Sequence, residues 1–361
     1  MERYAVENKR TRLMELDYFN GICCLLVILI HVLSLGITSL EAASWQLCIV
    51  YLPWRLAAFV VPGFLFTGAV KMAQQLESRA MPPYPKYILS RAGRVYLPYL
   101  AYTLVYFFVF VAIGYISFSP KDLLTYLLTG DISAQFYYVI LVMQFYLLLP
   151  LWKWMLRRIP WYVAIFTSAM LSLAMLKASD LFSLWGIDFP YCDRIVPTYI
   201  FFWLLGLYVG KYYGVIRETI TGHGKPILIC GIGVTAFALM TYLQYRTGIY
   251  VYDAGYLKLF SDGLSILILL YLCLRLAERP AGRLHKMLAS VHHASYSVYL
   301  SHCLFLTVGT FYLQGWGVRN IGVLLILRAI ICYTLPFLLY FCGQRILRCL
   351  CKKNNKGGVV A

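Results

Sequence analysis

Residues 17–37 read DYFNGICCLLVILIHVLSLGI. At 1.5 Å per residue this run is long enough to cross the hydrocarbon core of a bilayer, which takes about 20 apolar residues. Nine further runs follow at roughly 47–70, 95–117, 136–152, 161–176, 195–213, 226–245, 259–276, 291–313 and 321–343. Their apolar stretches are too long for the alternating strands of about ten residues that build an outer-membrane barrel. The expected fold is therefore all-α: a polytopic transmembrane helical bundle of about ten spans.

Composition agrees with the runs. Of 361 residues, 61% are hydrophobic and 13% charged, where a soluble domain carries about 45–50% and about 25%. A water-soluble globule is excluded. Disorder is excluded too, since it requires low hydrophobicity.

The net charge of +17 would suit a nucleic-acid partner if it were clustered, but its distribution follows the spans instead. With the N-terminus inside, 24 of the 32 Lys and Arg fall in inner segments and six in outer loops. That asymmetry is the positive-inside pattern. It places both termini in the cytoplasm, makes membrane lipids the partners of the basic loops, and gives no role to nucleic acid. Arg3, Lys9, Arg10 and Arg12 precede the first run. The run is long for a signal peptide and no small-x-small cleavage site follows, so it is read as the first span. The expected location is the cell membrane, with multiple passes. The segment 1–16 is a cytoplasmic lead and 344–361 a basic cytoplasmic tail.

Eleven cysteines include no CxxC pair, and most fall within spans, where Cys acts as a small hydrophobe. No metal is expected.

Polar residues inside the spans carry the functional signal, because an ionisable group at mid-bilayer costs about 2.5–3.5 kcal/mol on insertion scales. They are His31, Arg55, His302 and Arg328, with Gln144 the main neutral addition. Their estimated depths are about 9–12 Å below the outer span ends for the first-placed groups, with His302 about mid-span. They thus share one layer. On the first span Asp17, Asn20, Cys24 and His31 are spaced by three, four and seven residues, one stripe of a helix. His292, Ser295, Tyr299 and His302 make a second stripe. Two polar stripes that end on histidines describe a hydrated path; interhelical hydrogen bonding is the plainer reading of either His alone. Arg328 reads equally as an anchor that snorkels to the headgroups. Arg55, followed by the break at Pro62-Gly63, is expected to face the interior.

Arg91 and Arg94 end the inner loop 71–94. Three residues apart, they lie on one helical face at the membrane boundary. A pair of guanidinium forks there suits the phosphates of a nucleotide-like donor, and an ordinary positive-inside anchor is the competing reading.

Several patches, in order, resemble the acyltransferase-3 family of integral-membrane O-acyltransferases. Leu16-Asp17 through Gly21-Ile22 to His31 is similar to the first-span signature. Pro62-Gly63-Phe64-Leu65-Phe66-Thr67-Gly68 is similar to the second-span motif, and Arg91-Ala92-Gly93-Arg94-Val95-Tyr96-Leu97-Pro98-Tyr99 to the Arg-rich motif before span three. Gln144-Phe145-Tyr146-Leu147-Leu148-Leu149-Pro150 and Ser295-Tyr296-Ser297-Val298-Tyr299-Leu300-Ser301-His302 resemble two more. The resemblance covers 17–343.

It implies transfer of an acyl group, usually acetyl, from acyl-CoA (acetyl-CoA first) to a hydroxyl of a carbohydrate acceptor. That acceptor would be a cell-surface polysaccharide or its lipid-linked glycan precursor. It further implies His31 as the general base, Arg91 and Arg94 as holders of the CoA phosphates, and Tyr299 and His302 as lining. Asp17, Asn20, Gln144 and Ser295 join the lining by their place on the stripes or in the layer. The chemistry is compatible: an imidazole with an ordinary pKa near 6.5 suits deprotonation of an alcohol, and a buried Arg such as Arg55 suits an oxyanion. Where the family commonly has Arg, eleven residues before the His, this chain has Asn20. Where it often has a Glu pair, this chain has Val142 and Met143. A transporter or flippase of a glycan or lipid-linked sugar is the alternative. It would be expected to show paired internal repeats with matching broken helices, and none is evident.

Overall fold

A computed structural model describes residues 13–356 apart from 79–80, 179–181, 183, 187–188 and 251–253. The loop residues Asp180, Asp188 and Tyr252 lie outside the described residues, as do most of the N-terminal lead and the end of the tail. Among the described residues there are helices and no strands.

Each expected span coincides with helix. In order these are α1 (Met14–Ser39), α2 (Trp45–Leu56), α3 (Val60–Glu77), α4 (Tyr84–Arg91), α5 (Leu97–Ala112), α6 (Pro120–Thr129), α7 (Tyr137–Leu147), α8 (Leu149–Arg158), α9 (Trp161–Met175), α10 (Val196–Lys211), α11 (Tyr213–Gly222), α12 (Gly224–Thr247), α13 (Ala254–Ala277), α14 (Arg283–Gly315) and α15 (Ile321–Lys356). Among the described residues seven helical segments, α2–α3 and α4–α5 each counted as one, are long and apolar enough to cross a membrane. The bent pair α7–α8 makes eight. Helix α9, at 15 residues, is short for a crossing, and α14 is long but carries the polar stripe.

Prolines account for the interruptions. Pro53 lies within α2, and the chain breaks at 57–59 before α3 starts with Pro62 in its first turn, where a missing N–H costs no bond. Pro150, second in α8, sits at a bend of 57° between α7 and α8. Between α4 and α5 the chain takes a π-helical turn over Ala92–Tyr96. Pro98 follows it, and having no N–H it cannot donate to the carbonyl of Arg94 in α-helical register. Ser119 caps α6 by accepting from the N–H of Asp122 at 3.2 Å, and Gly130 closes that helix with φ +80°. This short helix packs against α5 and α7.

Without a hydrophobic drive between helices in lipid, close approach depends on small residues. At Gly206 on α10 a Cβ would stand 2.4 Å from the carbonyl oxygen of Phe66 on α3. At Gly21 on α1 it would stand 2.9 Å from the carbonyl oxygen of Leu288 on α14. The second contact brings the two polar stripes face to face.

Candidate functional site

The α1–α14 seam holds two chambers in series. The inner one, about 210 Å³, is lined by Asn20, Thr67, Lys71, Tyr146, His292 and Ser295 among others. The outer one, about 320 Å³, is lined by His31, Gln135, Tyr137, Tyr199 and Lys258 among others. Tyr299 lines both. Its hydroxyl donates to the backbone carbonyl of Gln135, and its ring meets Tyr138 edge-on at 5.7 Å. A single tyrosine thus stands between the chambers.

His31 lines the outer chamber; the His302 ring lies behind it, 5.2 Å away between centroids and tilted by 54°, and, against the expectation that it lines the site, lines neither chamber. His302 is fully buried. Its Nδ1 is 3.1 Å from the carbonyl of Val298, and since a carbonyl can only accept, Nδ1 carries the proton and Nε2 keeps its lone pair in the neutral ring. That Nε2 is buried without a hydrogen-bond partner.

Helix α15 fixes both histidine backbones. Arg328 donates from Nη2 to the carbonyl of His31 at 2.8 Å, from Nε to that of Val32 at 3.3 Å, and from Nη1 to Thr310 Oγ1 at 2.8 Å. The Cys332 thiol donates to the carbonyl of His302 at 3.6 Å. Arg328 is therefore a buried structural tie at the site, which decides between its two readings.

Tyr106, on α5, reaches the site from the other side. Its hydroxyl donates to the carbonyl of Leu300 at 2.9 Å and accepts from the N–H of Leu304 at 2.7 Å and from Gln135 Nε2 at 3.0 Å. Leu300 and Leu304 are the helical i, i+4 pair that flanks His302. The hydroxyl is inserted into the ladder of α14, a known cause of helix bending, and its single donor and two acceptor positions are all used.

At the far end of the inner chamber Asp17 Oδ1 lies 3.0 Å from Lys71 Nζ and 3.0 Å from His292 Nε2. The helical period puts Asp17 and His31 on one stripe of α1. The structure gives Asp17 a different histidine, on the second stripe. Above it Thr67 donates to Asn20 Oδ1 at 2.7 Å.

The remaining expected site residues are distributed as follows. Ser295 lines the inner chamber. Arg91 stacks over Tyr87 and Tyr146, 5.0 Å from each ring, and Tyr146 lines the inner chamber. Arg94 lies in the π-helical turn and is exposed. The wider turn rotates it away from the face that three α-helical steps would share with Arg91. Gln144 lines neither chamber; its Nε2 donates to the carbonyl of Arg194 at 2.8 Å. Arg55 lines neither as well. Its guanidinium sits 4.8 Å over the ring of Phe237 on α12, with Nε buried and unpartnered.

Sequence reading missed Lys258. It falls just outside the apolar run 259–276, but α13 starts at Ala254, so Lys258 is already helical and faces the outer chamber. It is paired with buried Asp262, one turn on; the i, i+4 spacing was the available signal. Beyond the chambers, Arg194 holds Asp131 at 2.5 Å and Asp193 at 2.9 Å, and donates to the carbonyl of Thr129 at 2.9 Å. Burial pushes the Asp131 carboxyl up, but hydrogen bonds from Thr129 and Arg194 outweigh it and hold the group below its ordinary value.

The candidate ligand atoms of His31, His302 and Cys303 lie within 4.8 Å of one another. The Arg328 guanidinium at the same place opposes a dication electrostatically. The arrangement suits a pair of imidazoles working on a proton. Only one ring of such a pair readily carries charge, so one histidine is free to act as a base and the other to orient it.

Comparison with known proteins adds the reaction class. A family model described as an acyltransferase domain matches residues 14–342. A protein of Bacillus subtilis (strain 168), named "Putative membrane-bound acyltransferase YfiQ", is 22% identical over 312 residues, covering 82% of each chain. No solved structure matches.

Proposed function

The chain belongs to this acyltransferase family, acyltransferase-3, and is a multi-pass membrane-bound acyltransferase; on that premise we propose that it transfers an acetyl or other short acyl group from acyl-CoA to a hydroxyl of a carbohydrate. The acceptor is a cell-surface polysaccharide or its lipid-linked precursor, and the membrane is the cell membrane with the basic end inward.

The observation that carries this reading is the pair of chambers that meet at Tyr299, with the histidine pair beside the meeting point. The inner chamber is the smaller of the two and mixes aromatic rings with the polar groups of Asn20, Thr67, Lys71, His292 and Ser295, suited to the extended thiol arm of CoA, which has both apolar and amide portions. Arg91, held by two tyrosines at its edge, serves the donor phosphates, and Arg94, turned off that face, is left to the membrane boundary. The outer chamber falls at the lower end of the usual volume range for ligand pockets, about 300–1,000 Å³, and suits one sugar unit.

His31 is the general base. The unpartnered Nε2 of His302 beside it would accept the N–H of His31 as the substrates bind, which leaves the other nitrogen of His31 to take the acceptor's proton. In this way His302 replaces the acidic helper missing at Val142 and Met143. The acceptor oxygen attacks the thioester carbonyl as His31 takes its proton. The C–O bond forms, the C–S bond breaks, and the leaving thiolate recovers the proton from His31. Lys258, which lines the chamber, is better placed than Arg55 to stabilise the oxyanion. Arg55 is assigned to packing against α12.

The test is to supply membranes that contain the protein with labelled acetyl-CoA and a candidate glycan. Label in the glycan, released by hydroxylamine as expected for an ester, supports the proposal. No labelled glycan with any acyl-CoA tested would refute it.

A further inference from the structure

At the basic end of the bundle three helices finish close together, and a cavity of about 380 Å³ opens between them. It is lined by Leu76 and Glu77 from α3, Lys153, Leu156 and Arg157 from α8, and Lys211 from α10. Three cations and one acid face one space. This cavity shares no lining residue with either chamber of the candidate active site.

Helix C-termini attract cations through their partial negative charge, which is the simplest account of basic residues here. It covers only part of them. The last carbonyls of α8 are already served from α10: Tyr208 Oη donates to Met155 at 3.3 Å and to Ile159 at 2.8 Å, and Lys211 Nζ donates to Leu156 at 2.5 Å. That last bond holds the Lys211 ammonium at the cavity wall, 5.3 Å from the Tyr212 ring, with its other N–H groups in no hydrogen bond or ion pair among the described residues. Lys153 and Arg157 stand four apart on one face of α8, where like charges repel. Neither forms an ion pair among the described residues, and Glu77 lies beyond salt-bridge distance of all three cations. By contrast Arg275 and Glu278, on the same end of the bundle, pair at 2.6 Å.

We propose that this cavity is a phosphate-binding site, separate from the acyl-transfer chambers, for a phosphate ester that also carries a hydroxyl group. The Arg157 fork and the Lys153 and Lys211 ammonium groups take the phosphate oxygens. Glu77, set at the rim, accepts from the neighbouring hydroxyl. Two ligands present that chemistry at a membrane surface: the headgroup of an anionic glycerophospholipid, and a soluble ribose phosphate. The inference does not rest on the acyl-transfer reading.

Purified full-length protein, in a neutral detergent, would be titrated separately with phosphatidylglycerol and with adenosine 3′,5′-bisphosphate. Binding would be read by native mass spectrometry and by the shift in melting temperature. Wild type would be compared with Lys153→Gln/Arg157→Gln, two exposed side chains whose loss leaves the fold intact, and with Lys211→Gln. The expected result is saturable binding of at least one probe that weakens about tenfold or more in the double variant, the loss of two charge-assisted bonds, and weakens also in Lys211→Gln. A response to phosphatidylglycerol assigns the site to lipid, and a response to the bisphosphate assigns it to a soluble ligand. Equal binding by wild type and double variant would overturn the proposal. So would bisphosphate binding that is abolished only by Arg91→Ala, since the ligand would then sit in the donor chamber.

Discussion

Nε2 of His292 lies 3.0 Å from Oδ1 of Asp17, and that oxygen also takes Lys71 at 3.0 Å. The three groups come from α1, α3 and α14 and tie the inner ends of those helices together. Asp17 is buried while Lys71 is partly open to solvent, so the tie is worth more than a surface pair but less than a fully desolvated one. Asp17→Asn is expected to cost about 1–3 kcal/mol and to lower the melting temperature. It should weaken donor binding more than it slows turnover, because His31 is at the other end of the seam. A kcat/KM analysis against acyl-CoA checks the split.

Tyr106 gives a sharper case of positioning at a distance. Tyr106→Phe removes the hydroxyl from between Leu300 and Leu304 and lets those two backbone groups bond directly. The segment that carries His302 would then straighten. Turnover is expected to fall about tenfold or more, as for other small misplacements of reacting groups, with little change in KM for the donor. A fall in KM-dependent binding with kcat preserved would count against this role.

The α3–α10 contact makes a prediction about assembly. Gly206→Ala puts a methyl group 2.4 Å from the Phe66 carbonyl oxygen, and backbone cannot yield as a flexible side chain would. Forced separation of the two helices should cost about 1–3 kcal/mol. Thermal unfolding in detergent would show it, with Gly93→Ala, which meets nothing within 4 Å, as the control for substitution itself.

Asp131 sets a pH limit on the outer clamp. Its folded-state value lies below that of the free carboxyl, so its contribution is complete above the ordinary carboxylate range, near 3.9. It is lost as pH falls through the lowered value. Neutral and mildly acidic media should leave the Arg194 clamp closed, and only stronger acid should open it. Unfolding followed against pH should lose that acid-side slope in Asp131→Asn.

Much of this architecture is legible in the sequence because the bilayer imposes it. Long apolar runs must be helical to satisfy their backbone in lipid, and the stripes that carry Asp17, His31, His292 and His302 follow from helical period alone. Partners across helices are a different matter. The period of α1 places Asp17 and His31 on one stripe, but whether Asp17 meets its own helix's histidine or His292 depends on how α14 docks, which Gly21 decides through backbone contact. An α-helical step of three puts Arg91 and Arg94 on one face, but the chain between them enters a π-helical turn, which the spacing of the two arginines does not reveal. Tyr106 offers no signal at all, being one apolar-run aromatic among many. The depth of Arg55 and Gln144 was readable, but not the direction in which either side chain points.

The central claim is that His31 takes the acceptor's proton during acyl transfer. The most direct measurement is turnover of labelled acetyl-CoA to labelled glycan by wild type and by His31→Ala at equal amounts of folded protein, with acetyl-CoA binding measured alongside. A loss of turnover of 100-fold or more, in the range of about 10²–10⁴ expected for removal of a general base, with donor binding retained, is the predicted result. Turnover in His31→Ala within a few-fold of wild type would contradict the account.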